Sequence, residues 1–214
     1  MTEKARILLV DDHPLLRTGV MQLIALEDDL EAVGEASNGE EAIRLATELE
    51  PDLIILDLNM KGMNGIETLS SLRDREVTSR IVMFTVSDNQ EDVVAALQAG
   101  ADGYLLKDME PNDLIEKIRL AANGQLVLSK ELTELLALAI QSKHRRDDKV
   151  DAKTMTKRER QILKLIAAGM TNKHIARKLD ITEGTVKVHI KHLFKKLHLK
   201  SRVEAAIWAM ENKL

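Results

Sequence analysis

Five side chains able to do chemistry stand at the ends of apolar runs. Asp11 and Asp12 follow RILLV, Asp57 follows DLIIL, Thr85 closes RIVMFT, and Lys107 follows GYLL. If those runs are parallel strands of one sheet, their C-terminal ends line a single edge, where open α/β sheets place their sites. Three carboxylates, a hydroxyl and an ammonium then share a pocket. Oxygen donors without cysteine suit a hard divalent cation such as Mg2+, which keeps waters and often shares a phosphate. The cation relieves the repulsion among the carboxylates. With two of them holding it, the third can attack phosphorus and form an acyl phosphate, while Lys107 and Thr85 stabilise phosphoryl oxygens. Singly, each residue reads as a turn former, strand filler or surface lysine; the convergence carries the inference. His13 could serve as a metal ligand, but a lone loop histidine more commonly stands solvated.

The elements that must position these groups alternate in type. ARILLV (5–10), LEAVGEA (30–36), DLIILD (52–57), RIVMFTV (80–86) and GYLLK (103–107) are predicted strands. The central three are nearly continuous in Ile, Leu and Val, as expected for parallel strands covered on both faces. Between them, 14–26, 38–50, 64–75, 90–100 and 111–124 show helical i, i+3, i+4 spacing, two of them closing on Gly. Five strand–helix repeats predict a doubly wound α/β domain over residues 1–125. An amphipathic stretch (130–143) and the mixed-charge run HRRDDKVDAK (144–153) predict a linker helix and flexible tether spanning 126–153.

Residues 154–214 read as a small all-α domain of four helices. Thr156 with Glu159, and Ser201 with Glu204, form two predicted capping boxes. Thr171 and Thr182 are predicted N-caps, with a short turn around Asp180-Ile181 joining the middle helices. On the helix from Glu183, Val186, Ile190, Leu193 and Leu197 share one face, and Lys187, Val188, Lys191 and Lys195 share another. A basic face with one short apolar side chain suits the DNA major groove, where Lys meets guanine or phosphate and Val meets a thymine methyl. His189 and His192 lie three apart without a third ligand, which argues against zinc.

Charge divides the chain in the same way. Residues 1–130 carry 12 basic and 25 acidic side chains, net −13, whereas 151–214 carry 15 basic against 6 acidic, net +9. Two modules with different partners follow, with double-stranded nucleic acid the candidate for the second. Hydrophobic residues at 44% and charged ones at 31% describe a globular protein. The absence of cysteine excludes disulfides and thiolate metal sites. Aromatics at 2% argue against stacking platforms for single strands. Neither a signal peptide nor a membrane span is recognisable, so a cytoplasmic protein with no membrane partner is expected.

In VDDHP, LDLNMKGMNG, the Thr85 strand and YLLKD, residues 5–125 resemble a two-component receiver domain. That resemblance implies a five-stranded parallel sheet of order 2-1-3-4-5. It also implies a sensor histidine kinase as phosphodonor, Asp57 as phosphoacceptor, and Mg2+ held by Asp11, Asp12, Asp57 and the Asn59 backbone carbonyl. Thr85 and Tyr104 would be the switch pair beside Lys107. Two positions depart from the receiver pattern: Lys61 and Asp108 each stand where proline is common. The run MTKRERQILKLIAAGMTNKHIARKLDITEGTVKVHIKHLFKKL resembles a LuxR-type helix-turn-helix. Together the two are the architecture of NarL/FixJ-type response regulators, and several segments look closest to the nitrate/nitrite regulators of that group.

The resemblance implies a phosphorylation-dependent transcriptional regulator, not an enzyme. Thr185, Lys187, Val188, His189, Lys191 and Lys195 would contact promoter DNA, with inverted-repeat half-sites bound by a homodimer. Val203, Ala206, Ile207 and Met210 would form the dimer contact, and RNA polymerase is a further expected partner. Unphosphorylated, the receiver would pack near the recognition helix and block DNA or dimerisation. Two rival expectations are an Mg2+-dependent aspartyl-phosphate phosphatase, from the D-x-D-like Asp57-Leu58-Asn59, and a constitutive DNA-binding protein with a vestigial receiver.

Overall fold

The computed structural model describes residues 4–127, 155–212 and 214; the expected linker helix and tether lie, save for 126 and 127, outside them. Five parallel strands form the first module: β1 (Ala5–Val10), β2 (Leu30–Ala36), β3 (Leu53–Leu56), β4 (Arg80–Thr85) and β5 (Gly103–Leu106). Their spatial order is β2-β1-β3-β4-β5, as the receiver resemblance implies. Helices α1 (Pro14–Ala25), α2 (Gly39–Leu49), α3 (Gly65–Asp74), α4 (Gln90–Ala99) and α5 (Pro111–Ala122) connect them.

Strand alternation distributes the apolar side chains to two buried faces. Leu8, Val10, Ile54, Leu56, Ile81 and Met83 pack with residues of α2, α3 and α4. Ile7, Leu9, Leu53, Ile55, Val82 and Phe84 pack with residues of α1 and α5. Several elements are a residue or two shorter than their apolar runs. Asp57 and Lys107 lie just beyond the ends of their strands. Asn38 and Asn64 stand outside their helices as N-caps, accepting from the Glu41 and Glu67 amides. Val127 continues the chain along β5, its carbonyl accepting from the Tyr104 amide at 2.9 Å.

The second module contains α6 (Lys157–Ala167), α7 (Asn172–Leu179), α8 (Glu183–Leu197) and α9 (Arg202–Glu211). Thr156 and Glu159 close the capping box reciprocally, and Thr171 and Thr182 cap α7 and α8 as read. The second box is only half formed. Ser201 accepts from the Glu204 amide, but the Glu204 carboxylate takes the Lys200 amide at 2.7 Å instead of the Ser201 amide. Asp180 in the left-handed region (φ 52°) turns α7 into α8. Val186, Ile190, Leu193 and Leu197 are buried as their spacing predicts, around Trp208.

The two modules touch at the N-terminal edge of the sheet. Lys173 Nζ lies 3.0 Å from Asp52 Oδ2, and Lys187 Nζ lies 2.8 Å from Glu50 Oε2. The Arg202 amide at the start of α9 donates to Asp102 Oδ1 at 3.0 Å. Val203 and Ile207 pack against the receiver's own core. Gly124 (φ +98°) approaches so closely that a Cβ there would meet the Gly169 carbonyl oxygen at 1.9 Å.

Leu193 is fully buried in the helical core, beside the protein's single tryptophan. Leu193→Ala is expected to cost about 2–5 kcal/mol, read as a lower urea midpoint followed by Trp208 fluorescence.

Candidate functional site: an acidic pocket and a basic helix

Backbone pairing carries the sheet just past its strands and aims the side chains. The Asp11 amide donates to the Ala36 carbonyl, Asp57 to Val10, and Lys107 to Thr85, each in register with a neighbouring strand. Asp11 and Asp57 are each 1% exposed, and Thr85 is fully buried. Lys107 Nζ sits between the two acids, 2.8 Å from Asp11 Oδ2 and 2.9 Å from Asp57 Oδ2. Asp12, Asp57, Asp11 and Lys107 are thus brought together as the strand-end argument requires. Thr85 joins through Asn59, whose Nδ2 donates to Thr85 Oγ1 at 3.4 Å. The Tyr104 hydroxyl donates to the Ser87 carbonyl at 2.9 Å, and burial pushes its pKa up to about 12.

Three carboxylates facing one ammonium leave a surplus of negative charge. Burial pushes the Asp57 carboxyl up from its ordinary range, against the pull of Lys107. Asp11, Asp12, His13 and Asp57 each place a donor atom within 4.8 Å of the others. Among the described residues, Asp11 Oδ2, Asp12 Oδ1 and Asp57 Oδ2 are buried oxygens without a well-directed hydrogen bond. Such a set fits an oxygen-seeking divalent cation.

Four contributors were not legible in advance. The Lys61 amide donates to Asp12 Oδ2 at 3.2 Å, a bond that proline at this position could not make. Gly65 lies against the site's backbone, where a Cβ would meet the Asp57 carbonyl at 2.2 Å. Arg17 Nη1 donates to the Asp11 carbonyl at 2.7 Å. His13 places Nδ1 2.9 Å from Asp12 Oδ1 and 3.3 Å from Asp11 Oδ1. Its ring is mostly exposed, as a loop histidine should be, but it is paired as well as solvated. Only the departure from proline at 61 gave any prior signal. The Lys107–Asp108 peptide is trans.

The helical module supplies the second site. On α8, Val188 and Lys195 are exposed, while Lys187 is turned against Glu50. A cavity of about 430 Å³ between α8 and the receiver is lined by Lys187, Val188 and Lys191 on one side and Glu50 and Glu76 on the other. Thr185 shares its hydroxyl with Thr182 at 2.8 Å, and His189 is half-buried. The stripe read as a dimer contact is divided. Val203 and Ile207 face the receiver core, Ala206 is half-buried, and Met210 is 76% exposed. No helix among the described residues is long and apolar enough to cross a membrane.

The charge surplus generates a prediction. A carboxyl whose folded pKa is raised destabilises the fold above that pKa and contributes nothing below the carboxylate range. Asp57→Asn is therefore expected to raise Tm at pH 7 without divalent cation, by roughly a few degrees for about 1 kcal/mol. The gain should vanish on acidification through the carboxylate range and shrink on adding Mg2+, followed by calorimetry.

Comparison with known proteins agrees with both halves. Residues 7–119 match the response regulator receiver domain, and residues 153–209 match the luxR family of bacterial regulatory proteins. The chain is 59% identical over 212 residues to the nitrate/nitrite response regulator NarL of Escherichia coli K12, covering 99% of this chain and 98% of that one. It is 46% identical to NarP of the same strain, covering 97% and 95%. Among solved structures, the response regulator ChrA of a heme-sensing two-component system aligns over 98% of both chains with TM-score 0.51 and 31% identity. The receiver domain of a NarL-named regulator from Mycobacterium tuberculosis aligns over 57% of this chain and 99% of that one, with TM-score 0.55 and 36% identity. A buried acidic pocket at the end of a parallel sheet and a capped basic helix-turn-helix thus coincide with two matched families, and the chain belongs to the two-component response regulators that join a receiver to a LuxR-type DNA-binding domain.

Proposed function

We propose that this protein is a cytoplasmic transcriptional regulator whose DNA binding is gated by phosphorylation of Asp57 in response to nitrate or nitrite. The signal is carried over from the nitrate/nitrite regulators it is 59% and 46% identical to. The observation that supports the gating most is a pairing of opposites: an acidic pocket lies at one edge of the sheet, and a recognition helix is held through Lys187 at the other.

Asp11, Asp12, Asp57 and the Asn59 carbonyl would hold Mg2+, which supplies charge neutralisation on the phosphoryl oxygens. An Asp57 carboxylate oxygen attacks the phosphorus of a kinase phosphohistidine. The P–N bond breaks, and the imidazole leaves with a proton. Lys107 turns from the Asp57 carboxylate to a phosphoryl oxygen. The Thr85 hydroxyl, now held by the Asn59 side chain, is close enough to be drawn to another. Tyr104 beside Ser87 would follow it.

The contact between modules supports an inactive state that blocks both outputs. Lys187 is turned to Glu50 rather than to DNA, and the side-chain hydrogen bond and charge of Lys187 hold the Glu50 carboxyl below its ordinary range. Val203 and Ile207 of the α9 stripe are covered by the receiver. Phosphorylation would shift the population toward an open form that frees α8 for promoter half-sites and α9 for a second copy.

Asp57→Ala is expected to abolish the increase in promoter binding produced by acetyl phosphate; a response that survives would sink the site assignment. Glu50→Lys should raise the DNA affinity of the unphosphorylated protein by up to about tenfold, from one lost pair and a new repulsion. Both are read by fluorescence anisotropy at fixed salt, since phosphate contacts are salt-dependent.

A further inference from the structure

We propose that His13 makes the acidic pocket a nitrogen-and-oxygen site, so that borderline divalent cations such as Co2+ and Zn2+ bind through Asp11, Asp12 and His13 and compete there with Mg2+. The inference rests on the reading of this pocket as a cation-holding phosphoacceptor site.

Its ground is the placement of one ring. His13 Nδ1 stands 2.9 Å from Asp12 Oδ1 and 3.3 Å from Asp11 Oδ1. Donors bound at about 2.1 Å in adjacent octahedral positions lie about 3.0 Å apart, and tetrahedral ones slightly farther. The two separations match the edges of a coordination polyhedron. The His13 amide donates to Asp11 Oδ1 at 2.8 Å, which fixes the backbone from which the ring projects.

Lys107 does not contest these positions. Its ammonium takes Asp11 Oδ2 and Asp57 Oδ2, leaving Asp11 Oδ1 and Asp12 Oδ1 on the side of the histidine. Nor is the imidazole committed to the fold: His13 is the N-cap residue of α1, but its side chain makes no capping hydrogen bond. Neutral imidazole favours cations late in the first transition row, whereas carboxylate alone suits Mg2+.

The test is calorimetric titration of the full chain with Co2+ and, separately, with Mg2+. His13→Ala and His13→Asn should each lower the ratio of Co2+ to Mg2+ affinity at least fivefold, and Cu2+ bound to the unaltered protein should show imidazole nitrogen couplings by electron paramagnetic resonance that both variants lose. A smaller fall overturns the proposal. So does a fall of that size in a His189→Ala/His192→Ala chain, which would move the Co2+ site to α8. Phosphorylation of the unaltered chain by acetyl phosphate with Mg2+ is scored alongside. Its failure would remove the phosphoacceptor reading and leave the affinity ratio to decide the role of His13.

Discussion

The Lys107 ammonium between Asp11 and Asp57 is the interaction on which the pocket depends. Both carboxylates are 1% exposed, and burial raises the Asp57 carboxyl against the opposing pull of Lys107. One cation shared between them holds β1, β3 and β5 at a common edge. It does not neutralise the site, because Asp12 adds a third charge. That surplus gives the pocket a donor set that fits a further cation.

The strands then act as spacers of fixed length. Asp57 lies just past the C-terminal end of β3, and Asp52, which receives Lys173 of the helical module, lies just before its N-terminal end. At about 3.3 Å per residue the two are separated by roughly 17 Å of buried backbone. Contact with the helical module therefore never reaches the acidic pocket directly. Any coupling between them has to pass through packed elements, and Thr85, Tyr104 and α4 flank the pocket where such a shift would begin.

At the far edge the receiver offers the helical module something chemically similar to DNA. Glu50, Asp52 and Asp102 present carboxylates to Lys187, Lys173 and the first amide of α9, as phosphates would be presented to a basic helix and a helix N-terminus. The net −13 and +9 of the two halves give this docking its long-range attraction. Its specificity comes from apolar contact at Val203 and Ile207 and from Gly124 passing Gly169.

Nearly continuous apolar runs and helical i, i+3, i+4 spacing determined the element order and the strand ends to within a residue, and therefore which five residues stand at one sheet edge. Capping chemistry fixed the four helix starts in the second module for a similarly local reason; at Ser201 only the reciprocal half of the box is missing, because the Glu204 carboxylate takes the Lys200 amide. Beyond that convergence at the strand ends, local pattern carried no information on how the loops and the two modules meet. The Lys61 amide on Asp12 and the close approach of Gly65 to Asp57 depend on how the loop after β3 folds back over the sheet edge. The burial of Val203 and Ile207 against the receiver, and of Lys187 against Glu50, depends on how two modules joined by a linker come to rest. An apolar stripe or a basic face states that it wants a partner; only the tertiary structure decides which of the competing partners it has, because that choice is set by shape and charge summed over both surfaces.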